Sequence, residues 1–142
     1  MRTTRRLPPS PLEQLPELRP GQSLDLLKEL HILTREGAIN LDSRRKLKQV
    51  MHLVQFIEPL LQDAASKRSD GPVLVDHGAG KSYLGFLLYD LILRGLNRGW
   101  VVGVEARPDL VERSLALASR LGFERMRFVE SRVADSIHPI GT

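Results

Sequence analysis

The residues whose types and spacing can do chemistry lie in Val73-Leu-Val-Asp76-His77-Gly78-Ala79-Gly80-Lys81-Ser82. A short apolar, β-branched run ends in an acid, then two closely spaced glycines, then a helical pattern. A strand that closes on such a turn and opens a helix brings backbone close to a ligand at the helix N-terminus. Three ligand classes use that geometry. Gly80-Lys81-Ser82 copies the end of a phosphate-binding loop, but that loop needs a glycine five positions before Gly80, where Val75 stands. Gly78 and Gly80 match two glycines of a dinucleotide fingerprint, whose third position is Tyr83 here. Asp76 also opposes a pyrophosphate, because like charges repel strongly in a low-dielectric cleft. The acid becomes an asset for a ligand without phosphate, whose end carries an ammonium and a sulfonium beside one carboxylate. The amides of the turn and Lys81 would then receive that carboxylate.

A second acid agrees. Glu105 ends another apolar run, Val101-Val-Gly-Val-Glu105. A carboxylate at that place can accept hydrogen bonds from both hydroxyls of a ribose. Asp76, Gly78, Gly80 and Glu105 would all meet at one edge of a sheet. The alternative for Glu105 alone is a solvated acid at a strand end. His31, His52, His77 and His138 show no metal-ligand spacing, and no Ser/His/Asp set can be argued. Tyr83, Phe86 and Tyr89 fit helix packing.

These residues need elements to position them. Apolar runs at 73–76, 100–106 and 126–131 read as strands. The intervening stretches 82–96 and 109–121 read as helices, the second with Pro108 at its first turn and Gly122 at its stop. The order β-α-β-α-β with near-continuous apolar strands predicts an α/β fold: a Rossmann-like, doubly wound parallel sheet covered on both faces, represented by its first three strands. Ahead of it, Ser23 can cap a helix carrying Leu26, Leu27, Leu30 and Leu33 and stopping at Gly37. A second helix should start near Asp42, with Leu47, Val50, Met51, Val54, Ile57 and Leu61 at helical spacing and Pro59 kinking or dividing it. The predicted organisation is a flexible proline-rich arm (1–22), an N-terminal helical cap (23–70), and the sheet domain (71–142).

Composition limits the partners. The 142 residues carry a net charge of +4, and residues 1–70 hold twelve Lys/Arg against nine Asp/Glu. Arg44, Arg45, Lys46 and Lys48 crowd the start of the second helix, opposing its dipole at ~0.3–1 kcal/mol each when exposed. RNA phosphates could offset that, although a solvated basic face is the simpler reading. No cysteine is present, which excludes disulfides and thiolate metal sites. No apolar run reaches the ~20 residues of a membrane span, and prolines 8, 9 and 11 interrupt any signal-peptide core, so a cytoplasmic protein is expected.

Asp76-His-Gly78-Ala-Gly80-Lys-Ser resembles the first motif of the class I S-adenosylmethionine-dependent methyltransferases, and Val104-Glu105-Ala-Arg-Pro resembles their acidic second motif. The longer string through Tyr83-Leu-Gly-Phe, with Lys48-Gln-Val-Met-His52 ahead of it, is most similar to a bacterial methyltransferase-domain group related to ribosomal-RNA adenine dimethylase-like proteins. The resemblance spans about residues 40–135 and implies S-adenosylmethionine as cofactor. It places Asp76, Gly78, Gly80 and Lys81 at the methionine part, Glu105 at the ribose and Asp135 near the adenine, with Val133 against the ring. Ser82 departs from it, standing where many members have a third glycine. The family's sheet continues beyond a third strand, and its catalytic segment follows a fourth. The expectation is therefore a cofactor-binding half that is inactive alone, with catalytic residues beyond Thr142 and a possible dimer through the open edge of the first strand. The acceptor is left open, with RNA plausible. The competing reading is a non-catalytic nucleotide- or RNA-binding module on the same half-fold.

Overall fold

The computed structural model describes residue 19 and residues 21–131; most of the proline-rich arm, and Asp135, lie outside the described residues. Helix α1 (Leu24–Glu29) starts where Ser23 Oγ accepts the Leu26 N–H at 3.1 Å. It is six residues long and does not run to Gly37. The chain turns at His31, whose φ is 59°, and the N–H groups of Ile32 and Leu33 both return to the Leu27 carbonyl. Leu30, Ile32 and Leu33 are buried all the same, so their spacing reported burial and not a continuing helix.

Helix α2 (Leu41–Lys67) is capped by Asn40, whose side chain accepts the Ser43 N–H at 2.8 Å. Asp42, expected as the cap, lies in the first turn, where its charge still suits the dipole. Pro59 does not divide the helix, which is one continuous element. Pro59 and Gln55 are both exposed, so water can satisfy the carbonyl that the proline leaves without a donor.

Strands β1 (Val73–His77), β2 (Trp100–Glu105) and β3 (Met126–Glu130) form a parallel sheet in the order β1-β2-β3. Between β1 and β2, helix α3 (Tyr83–Leu88) passes through a π-helical turn (Tyr89–Leu93) into α4 (Arg94–Leu96). Helix α5 (Pro108–Leu121) joins β2 to β3, with Pro108 in its first turn and Gly122 left-handed at its end.

The core lies on one face of the sheet. Phe86 is fully buried, with Phe128 at 5.7 Å and Phe123 at 6.3 Å between ring centroids, while Tyr89 stacks on Phe123 at 4.6 Å. On the opposite face Val73 is 49% and Trp100 41% exposed while Val104 is 3% exposed, so among the described residues that face is open at the N-terminal ends of β1 and β2. The reason is topological. Both crossovers step the same way along the sheet, and right-handed crossovers then place both helices on one side.

Charged side chains bind the cap to this core. Asp90, buried in the π-helical turn, accepts the Ser23 N–H at 2.8 Å and lies 2.9 Å from the Arg94 guanidinium. Burial pushes the Asp90 carboxyl up, against the pull of the Ser23 N–H and of Arg94. Arg94 also donates to the Gly21 carbonyl at 2.7 Å, and Arg120 of α5 pairs with Glu29 of α1 at 2.9 Å.

Gly103, at the centre of β2, lies beneath the turn that follows β1. A Cβ there would come within 2.8 Å of the Phe128 ring and 3.4 Å of the Ala79 Cβ. Gly103→Ala should therefore destabilise the fold by about 1–3 kcal/mol through overpacking. The check is the denaturant midpoint; a midpoint equal to that of the parent would show that the ring yields freely.

Candidate functional site

The site is built at the C-terminal ends of β1 and β2. In the parallel register Asp76 pairs with Gly103, which places Asp76 and Glu105 on the same face of the sheet. The chain then turns over the end of β2. The N–H groups of Gly78 and Ala79 both donate to the Val104 carbonyl, at 2.8 and 3.0 Å, and the Gly80 N–H donates to Glu105 Oε1 at 2.9 Å. This path requires left-handed backbone at Gly78 (φ 68°) and Gly80 (φ 60°), where a side chain would be strained. No heavy atom lies within 4 Å of the position a Cβ would take at Gly78, so the space above the turn is open. Ser82 is also left-handed, at φ 63°, and buried, with its hydroxyl 3.2 Å from that of Ser114. That bond holds a serine in a backbone conformation that favours glycine.

The two acids differ electrostatically. Asp76 is half-buried and makes no side-chain hydrogen bond among the described residues. Burial pushes its carboxyl up, while neighbouring His77 pulls it down. Glu105 is buried and held on every side. Arg107 donates to it from its main-chain N–H (3.0 Å), its Nε (2.9 Å) and its Nη2 (3.3 Å), in addition to the bond from Gly80. The Arg107 side chain, then the N–H groups of Arg107 and Gly80, hold the Glu105 carboxyl down at about 2. Four donors match the roughly four acceptor directions of a carboxylate. A ribose could reach Glu105 only by displacing a donor, and the exposed Arg107 guanidinium is the one able to move.

The structure thus brings Asp76, Gly78, Gly80 and Glu105 together. It places Lys81 elsewhere, on the wall of a cavity between the α1–α2 connection, the start of α3 and α5, which none of those four residues lines. The turn's amides are likewise committed, those of Gly78, Ala79 and Gly80 all bonding to the end of β2. Arg107 was missed by reading the sequence, although a cation two positions after a strand-end acid was the available signal. Arg44, Arg45, Lys46 and Lys48 occupy the first two turns of α2, where Lys46 Nζ lies 4.7 Å from the centroid of the Tyr83 ring. Among the described residues no cluster of His, Asp or Glu could hold a metal ion, and no helix is long and apolar enough to cross a membrane.

A pH dependence follows from Glu105. Its depressed carboxyl contributes stability that is complete above the ordinary 4.5 and is lost as pH falls through 4.5 towards about 2. Arg107→Ala removes the largest cause, so the Glu105 titration midpoint, followed by carboxyl carbon NMR, should rise towards 4.5 and acid unfolding should begin at higher pH. An unmoved midpoint would show that the main-chain donors suffice.

Comparison with known proteins gives the family. No functionally curated protein matches the chain. Among solved structures it is similar to the YcgJ protein from Bacillus subtilis, with 22% identity, 54% of this chain and 29% of that one covered, and a TM-score of 0.38. It is also similar to a mutant of MtNAS in complex with S-adenosylmethionine, with 21% identity, 79% and 40% covered, and a TM-score of 0.39. A third is a structure assigned as a protein-L-isoaspartate O-methyltransferase from Plasmodium falciparum in complex with S-adenosyl-L-homocysteine, with 16% identity, 76% and 61% covered, and a TM-score of 0.39. The chain therefore spans from 29% to 61% of the length of these structures. The methyltransferase-domain family matches residues 45–140. S-adenosylmethionine, expected from the acid-x-Gly-x-Gly turn, is the cofactor of that family. The match covers most of the sequence and includes Asp76, both turn glycines and Glu105, and on it the chain belongs to the methyltransferase-domain family.

Proposed function

We propose that the chain supplies the S-adenosylmethionine-binding part of a methyltransferase that acts on RNA. The observation that carries this reading is the pair of strand-end acids flanking an open glycine turn, one of them half-buried without a hydrogen-bonding partner among the described residues. That acid, Asp76, lies where a cationic ligand end would relieve the cost of its desolvation. The residues present fit the cofactor. Asp76 would take the ammonium, the absence of side chains at Gly78 and Gly80 leaves room for the methionine part, and Glu105 would take the ribose once the Arg107 guanidinium moves aside.

When bound, the cofactor supplies a methyl group on an electron-poor sulfonium. The task of this chain is to hold that group in one orientation, so that a nucleophile meets it at near-attack distance. Rigid elements serve that task. Asp76 and Glu105 sit on paired strands, and the turn between them is tied to both Val104 and Glu105. The RNA acceptor is supported by the basic start of α2, where Arg44, Arg45, Lys46 and Lys48 gather.

Calorimetry on the full chain tests the ligand class. S-adenosylhomocysteine should bind, and NAD and magnesium–ATP should not. Asp76→Asn should weaken S-adenosylhomocysteine binding by roughly ten- to a hundredfold, the range for losing a charge-assisted bond. Binding of ATP in place of the nucleoside thioether would revive the phosphate-loop reading.

A further inference from the structure

We infer that the cavity on which Lys81 opens is a binding site for the phosphate backbone and a splayed base of single-stranded RNA, distinct from the cofactor turn. The cavity holds about 340 Å³ and is bounded by Glu29, Leu30 and His31 on one side, by Lys81 and Tyr83 at the head of α3, and by Arg113, Leu117 and Arg120 of α5. Its one acid, Glu29, is already paired with Arg120 at 2.9 Å. Lys81 and Arg113 are exposed and make no ion pair among the described residues. The recess therefore presents positive charge that nothing in the described chain neutralises.

Two contacts join this recess to the basic start of α2. Lys46 Nζ lies over the ring of Tyr83, a cavity wall, and Ser43 Oγ donates to the carbonyl of His31, another wall, at 3.3 Å. Lys46 is thus brought beside the cavity that Lys81 and Arg113 line, though far from them in sequence. The result is one cationic tract running from the first turns of α2 across Tyr83 to α5. Cations at a helix N-terminus oppose its dipole, and bound phosphates would reverse the sign of that interaction.

The lining selects among anions. Leu30, Phe86, Leu110 and Leu117 give the recess an apolar floor, and a free phosphate has no use for one. A bilayer surface is met by apolar side chains that project, whereas here the cations rim a concavity. A nucleotide has both required parts, a charged phosphate and a flat base able to pack against apolar and aromatic walls. This inference rests on the RNA-acceptor reading above and deepens it. It also gives Lys81 a role on the acceptor side of the turn.

The test uses the full chain and a fluorescein-labelled single-stranded oligouridylate of about a dozen nucleotides, a length typical of such sites. Binding is followed by anisotropy over a series of salt concentrations. The double substitution Lys81→Ala with Arg113→Ala should weaken binding at least about tenfold. It should also make the plot of log affinity against log salt shallower by about 1.4, the value for two lost single-strand phosphate contacts. Arg127→Ala, on the partly open face of the sheet, should leave the affinity as it was. Calorimetry with S-adenosylhomocysteine on the double variant separates the two readings, because cofactor binding should be unchanged there. Equal losses in the Arg127 and double variants, an unchanged double variant, or binding to anionic phosphatidylserine vesicles in preference to the oligonucleotide would each overturn the site. Absence of cofactor binding in the parent chain would count against the methyltransferase reading alone.

Discussion

The carboxylate of Glu105 is the interaction on which the rest of the site depends. It joins the end of β2 and the adjoining start of α5 to the glycine turn after β1, which is distant in sequence. The turn and the start of α5 contribute the donors to the one buried charge that β2 supplies, and an anion so placed is expensive to bury unless its acceptor directions are filled. The Gly80 end of the turn and the start of α5 are thereby tied to the same charge. Asp76 is the complementary case. It stands half-buried on the neighbouring strand with no side-chain hydrogen bond among the described residues, and the contrast between a saturated and an unsaturated acid gives the two positions different chemistry.

Much of this could be read in the sequence, for physical reasons that differ from element to element. The strands were legible because β-branched runs between turn residues leave few alternatives. Pro108 and Gly122 marked the ends of α5 because each fits only one kind of helix terminus. Asp76, Gly78, Gly80 and Glu105 were legible because their spacing constrains which ligand charge they can face. What could not be read depends on contacts distant in sequence. Whether Leu30 and Leu33 continue a helix depends on His31, whose positive φ is fixed by surroundings and not by its type. The tolerance of Pro59 depends on which side of α2 faces water. Lys81 sits next to the glycine turn in sequence, yet its neighbours in space are Tyr83 and Arg113, and no local pattern announces that.

The cap and the sheet share one hydrophobic core, and arginines add polar ties both between them and within the sheet part. Arg98 donates to the Ala65 carbonyl near the end of α2, and Arg125 donates to the carbonyls of Leu93 and Gly99 while lying over the Tyr89 ring. The planar guanidinium satisfies carbonyls at helix ends and loop corners where no main-chain donor can reach. This explains how a chain of modest size keeps its connections in place. It also explains why a basic composition need not all be directed at partners, since several of the cations are internal fittings.

The attachment of the N-terminal segment has a consequence for how the sequence can drift. Asp90 and Arg94 grip the amide hydrogen of Ser23 and the carbonyl oxygen of Gly21, both of them main-chain atoms. The gripped groups do not themselves depend on the side chains at positions 22 and 23, proline at position 23 excepted, although the Ser23 hydroxyl also caps α1. An insertion or deletion of one residue between Gly21 and Leu26 would move them out of reach. In related chains this stretch should keep a constant length, with a capping side chain at position 23 and an apolar one at position 26, so that an alignment would show a gapless block facing an acid.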